Sequence, residues 1–82
     1  MLKANGFDEA FLGVASQFNM EDVFAYDKDE CIAILCRRDN MSYDDAVEFF
    51  NYNVLGSWVG EKTPLFLKKY DSIKDAVDDL DL

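Results

Sequence analysis

An α+β domain is the fold class this sequence predicts, and three observations predict it. Short apolar runs of strand length, poor in charge, occur at residues 10–16, 23–26 and 65–67. Three further segments repeat apolar residues every three or four positions, each behind a helix-capping residue. In chain order they read strand, strand, helix, helix, strand, helix (ββααβα). The simplest way to bury these faces is a three-stranded antiparallel sheet covered by helices. The chain has 82 residues, the length of a single small domain spanning 1–82.

Residues 1–9 read as a mobile start. Residues 10–16 carry no charge and read as a strand suited to the sheet centre, with Gly13 at a bulge or close approach. Residues 17–22 are the turn of a hairpin, and residues 23–26 its second strand. Asp27 and Glu30 then form a D-x-x-E helix start in which Asp27 caps the backbone and Glu30 reaches back. That helix runs to about Arg38, with Cys31, Ile32, Leu35 and Cys36 as its apolar stripe. Arg37 and Arg38 suit its C-terminal dipole, and Asn40 suits a left-handed exit.

Ser42 opens the second helix, with Asp45 three residues on. Tyr43, Ala46, Val47, Phe50 and Val54 mark its buried face, and Gly56 ends it. The link between the first two helices is short, so they should pack as an antiparallel pair. Residues 57–64 form a turn-rich loop with the only proline, Pro64, at the entry to the third strand. Ser72 and Asp75 open a C-terminal acidic helix within 71–82. Its apolar positions, Ile73, Ala76, Val77 and Leu80, should dock on the domain.

Seventeen Asp and Glu face eight Lys and Arg, with no His, for a net charge of −9. Acidity alone would suit a disordered tail, but half of this chain is hydrophobic. Seven Phe and four Tyr supply large apolar areas for a core. The negative balance disfavours direct nucleic-acid binding and anionic membranes. No apolar run spans a bilayer and no charged-then-apolar leader is present, which points to a soluble cytoplasmic protein. Cys31 and Cys36 lie five apart on one helix and diverge by about 140°, so they cannot bridge within it. They read as small buried residues of a reduced protein.

The inventory argues against catalysis. Without His the commonest general base and metal ligand is missing. There is no nucleophile elbow, C-x-x-C pair, Walker loop or G-x-G-x-x-G. The four serines read as turn and cap residues, so no catalytic residue and no cofactor are expected. Asp27, Asp29 and Glu30 begin like a calcium loop but lack its Gly and distal Glu, so no metal site is expected either.

Two features remain. Residues 39–61 hold five acidic residues and no Lys or Arg. Within them Asp44, Asp45 and Glu48 share a helix face, with Tyr52 next along it; Asp78 and Asp79 repeat the theme on the last helix. Such a surface either keeps a small protein soluble or docks on a basic partner. The second feature is the run GSWVGEKTP at 56–64. Trp58 either seals the core or anchors a partner, since Trp is favoured at interface centres. In an alternative reading this loop builds a small-molecule pocket from Asn53, Glu61 and Thr63.

The stretch YDKDECIAILCRRDNMSYDDAVEFFNYNVLGSWVGEKTPLF, residues 26–66, resembles a family of small proteins of unassigned function from tailed bacteriophages, marine ones especially. The resemblance is carried by Asp27 before the first helix, the Met41-Ser42-Tyr43 helix start, Asn53, and Gly56-x-Trp58-Val59-Gly60-Glu61-x-Thr63-Pro64. Gly6-Phe7-Asp8 and Gly13-Val14-Ala15 fit the same pattern. It implies a source class, with a host-cell cytoplasmic location, and carries over no activity and no catalytic residue. The expectation is therefore a noncatalytic phage-type protein whose Asp44, Asp45, Glu48, Tyr52, Trp58, Asp78 and Asp79 engage a basic protein surface. In a sharper form it mimics nucleic acid. The sheet edges leave a homodimer open beside a monomer.

Overall fold

The structure, a computed structural model, describes residues 2–57 and 62–81. A short 3-10 turn at Asp8–Ala10 leads into β1 (Phe11–Ala15), followed by β2 (Val23–Asp27) and α1 (Lys28–Arg38). Next comes α2 (Tyr43–Phe49), which runs on as a π-helical turn, Phe50–Val54, and a 3-10 turn, Leu55–Ser57. β3 (Leu65–Leu67) and α3 (Ile73–Leu80) complete the order. The α+β class and the strand–strand–helix–helix–strand–helix sequence are both as the pattern predicts.

Local chemistry accounts for the starts of the helices. The side chains of Asp27, Ser42 and Ser72 each accept from the backbone N–H three residues on, those of Glu30, Asp45 and Asp75. Glu30 does not reach back: its carboxylate takes Arg37 instead, at 3.0 Å. At the end of α1, Asn40 adopts a φ of 54° and turns the chain.

The sheet departs from expectation in two ways. Its order is β1-β2-β3, so β2 and not the charge-free β1 is central. Pairing on both sides decides centrality, and β1 leaves Phe11, Leu12 and Val14 about half exposed at an edge. The hairpin break lies between Phe11 and Gly13, where Gly13 supplies a φ of 156°. Second, β3 runs parallel to β2, so the sheet is mixed and not wholly antiparallel. Leu-Phe-Leu alternates identically in both directions, so its pattern cannot set direction; either way Phe66 faces the helices.

One face of the sheet and the helices enclose the core. Tyr26 stacks on its cross-strand partner Phe66 at 5.7 Å, and Phe66 meets Phe50 of the π-turn edge-on at 5.1 Å. Phe11 packs edge-on against Phe24 and Tyr26. Cys31 and Leu35 of α1 and Ala46 of α2 are fully buried in the same core. Ile34, left off the apolar stripe of α1, is buried, while Cys36 is only half-buried. Tyr43, expected on the buried face of α2, is 65% exposed.

The N-terminal segment, expected to be loose, contributes Ala4 and Phe7 to the core. Arg38 holds it: its guanidinium donates to Gly6 O at 2.8 Å and lies 5.5 Å from the Phe7 ring centre. Gly6 allows this contact, since a Cβ there would stand 2.8 Å from Arg38 Nη1 and the φ is 89°. Among the described residues no helix is long and apolar enough to cross a membrane.

Candidate functional site

The outer side of α2 gathers several of the residues singled out in the sequence. The Ser42 cap fixes the start of α2 and puts Asp44 and Asp45 in its first turn, where the helix dipole favours carboxylates. Glu48 follows one turn on. Beyond Phe49 the helix widens: at the π-turn Leu55 N–H bonds to the carbonyls of both Asn51 and Phe50. Asn53, four residues on from Phe49, lines the same groove as Glu48. Phe50 and Val54 still reach the core from the same turn.

The result is an open groove of about 460 Å³ lined by Met41, Asp45, Glu48, Phe49, Tyr52 and Asn53. Its lining combines a thioether and two aromatic rings with two carboxylates and an amide. Tyr52 is 77% exposed. The π-turn is what the periodicity missed. The available signal was Asn51 and Asn53 inside a helical stretch, where both are poor helix formers.

Charge is unevenly compensated over the surface. Lys3 pairs with Asp8, Arg37 with Glu30 and Glu9, Arg38 with Asp39, and Lys62 with Glu21. Lys68 pairs with Asp79, Lys69 with Asp27 and Lys74 with Asp78, while Lys28 lies 5.9 Å from the Phe50 ring centre. Among the described residues, none of these cations lies within ion-pair distance of Asp44, Asp45 or Glu48. The carboxylates of α2 are therefore exposed and without countercharge among the described residues.

The acidic residues of α3 are placed differently. Asp79 Oδ2 accepts from the Tyr70 hydroxyl at 2.6 Å and from Lys68 Nζ at 3.1 Å. These hydrogen bonds hold its carboxyl below the usual range, that from Tyr70 foremost. The same bonds to Asp79 raise Lys68 and Tyr70. Asp78 meets Lys74 at 2.8 Å. Asp78 and Asp79 are thus internally paired, and the residues brought to one concavity are Asp45, Glu48 and Tyr52, with Asp44 on the same helix.

Trp58 and Glu61 lie outside the described residues. The remaining pair of the small-molecule reading is not brought together. Asn53 lines the α2 groove, whereas Thr63 lines a separate cavity of about 600 Å³ with Ala15, Met20, Val23 and Pro64. Among the described residues no group of three or more Cys, Asp or Glu is set to hold a metal ion. Burial, with lesser effects from Asp27 and Glu30, pushes the Cys31 thiol up to about 12, so it is a poor nucleophile. Comparison with protein-family models, curated proteins and solved structures finds no match to this chain.

Proposed function

We propose that this chain is a noncatalytic binding protein of the phage type its sequence resembles, docking the outer side of α2 on a basic protein surface. One observation carries the reading. Among the described residues no cation lies within ion-pair distance of the α2 carboxylates, and Asp45 and Glu48 line a groove together with Met41, Phe49 and an exposed tyrosine. A Lys or Arg of the partner would lay its aliphatic stem on Met41 and Phe49 and its charge between Asp45 and Glu48. Tyr52 adds a ring face for the same cation. In its sharper form the row Asp44, Asp45 and Glu48 occupies a surface that otherwise holds phosphates.

Such docking is fast and weakens with salt, because the attraction acts between exposed charges. The test is capture of partners from host lysate at low salt by the wild type and by Asp44→Lys/Glu48→Lys. A partner retained by the wild type, lost on the variant and released by salt supports the reading. No capture, or equal capture by both, refutes it. Competition by duplex DNA for the captured partner tests the mimicry form.

A further inference from the structure

Of the five asparagines, Asn5 alone is followed by glycine; Asn19 and Asn40 precede Met, Asn51 precedes Tyr and Asn53 precedes Val. The difference is chemical. The side-chain amide of an asparagine is open to attack by the backbone nitrogen of the next residue, and a side chain on that residue crowds the approach. Glycine has none. The structure sets this pair at an accessible corner. Residues 4–7 form a tight turn, in which Phe7 N–H donates to Ala4 O at 3.3 Å and Gly6 takes a φ of 89°. Asn5 and Gly6 are exposed, while Ala4 and Phe7 on either side are buried. Among the described residues neither the Asn5 side-chain amide nor the Gly6 N–H has a hydrogen-bond partner. Both reacting groups are unengaged and in reach of water.

We propose that Asn5 is a self-modification site, where the Asn5-Gly6 link converts to an isoaspartyl linkage and releases the N-terminal segment from the core. Gly6 N attacks Asn5 Cγ and a C–N bond forms. The bond from Cγ to the amide nitrogen breaks, and that nitrogen leaves as ammonia with the proton from Gly6 N. Water then opens the cyclic imide, its hydroxyl going to carbon and its hydrogen to nitrogen. Opening at Cγ gives an ordinary aspartate. Opening at the backbone carbonyl gives isoaspartate, in which the chain runs through Cβ and Cγ and is longer by one methylene. This turn has no slack for the insertion. On one side Ala4 N–H donates to the buried Tyr26 hydroxyl at 3.0 Å. On the other Arg38 donates to Gly6 O at 2.8 Å, and the Phe7 ring sits in the core. The Ala4 bond is the one that yields, because losing it frees only the chain end, whereas moving Phe7 opens the core. Attachment of the N-terminal segment is thus tied to the age of the molecule. None of this depends on what α2 docks against.

The test ages the full folded chain in mildly alkaline buffer and maps conversion by peptide mass spectrometry. Isoaspartate is identified by methylation with an isoaspartyl carboxyl methyltransferase, and Ala4 is followed by amide hydrogen exchange. The expected result is conversion at Asn5 ahead of the other asparagines, an isoaspartyl product, and Ala4 exchange about tenfold faster in the isoaspartyl fraction. Asn5→Gln must close a larger ring, so it should stay unmodified with Ala4 protected. Asn5→Asp carries the new charge without the extra methylene, and Ala4 should stay protected there too. No conversion at Asn5 in the folded chain, conversion no faster than at the other asparagines, or an isoaspartyl fraction with unchanged Ala4 exchange would each overturn the proposal. Loss of Ala4 protection in freshly prepared Asn5→Asp would overturn it as well, by assigning the release to charge.

Discussion

The Tyr70 hydroxyl donates to Asp79 Oδ2 at 2.6 Å, and this bond, shared with Lys68, ties α3 to the strand-exit segment. The tether depends on an ionised Asp79, whose folded carboxyl is held below its ordinary value. A lowered acid contributes stability above its unfolded pKa and loses it as pH falls through the folded one. The tether should thus be intact at neutral pH and released in acid. Lys68, raised in the fold, keeps its side of the pair until pH climbs past its own elevated value. Following the Asp79 carboxyl by NMR should show a lowered midpoint in the wild type and a return toward 3.8 in Tyr70→Phe.

Tyr26 carries a second long-range bond. Its buried hydroxyl accepts from Ala4 N–H at 3.0 Å and pins the N-terminal segment over the core. Tyr26→Phe keeps the ring stacked on Phe66 but leaves the Ala4 donor without its partner. The expected cost is about 1–3 kcal/mol in urea denaturation, with earlier hydrogen exchange at Ala4.

Phe50 is fully buried and joins the π-turn to Phe66 of β3. Phe50→Ala should cost about 3–5 kcal/mol, a large share of the stability of so small a domain. Circular dichroism should show this variant largely unfolded at a temperature where the wild type is folded.

The two cysteines should differ sharply in reactivity. Cys31 is buried with its thiol raised to about 12, and Cys36 is half-buried. Under native conditions Cys36 should react first with an aromatic disulfide reagent, and Cys31 only at the rate of unfolding. A thiol raised in the fold favours folding below its unfolded pKa and loses that contribution above it. Stability in Cys36→Ser should therefore decline as pH passes the ordinary thiol value of 9.0.

Much of the architecture was legible because local signals agreed with one another. Caps at Asp27, Ser42 and Ser72 and the apolar repeats behind them place all three helices. Strand direction was not legible, because Leu65, Phe66 and Leu67 alternate equally well either way. Lack of charge made β1 look central, yet a strand's position follows from its neighbours, which sequence pattern does not encode. On α3 the periodicity correctly marks a helix with an apolar stripe, but an amphipathic pattern does not say that the stripe is covered, and Ile73 is 84% exposed and Leu80 56%. At the candidate site Asp45, Glu48 and Tyr52 followed from helical spacing. Asn53 shares the face of Asp45 and Phe49 at spacings of four, while Asp78 and Asp79 are paired with Lys74, Lys68 and Tyr70, contacts that helical periodicity does not reveal.

Docking through α2 requires its carboxylates, unpaired among the described residues, to meet a basic partner. The most direct measurement titrates the ¹⁵N-labelled chain with a short arginine-rich peptide at low and high salt. Docking at this groove should give shifts centred on Asp45, Glu48, Phe49, Tyr52 and Asn53 that fade with salt and vanish in Asp44→Lys/Glu48→Lys. Shifts spread evenly over all acidic residues, or unchanged in that variant, would contradict it.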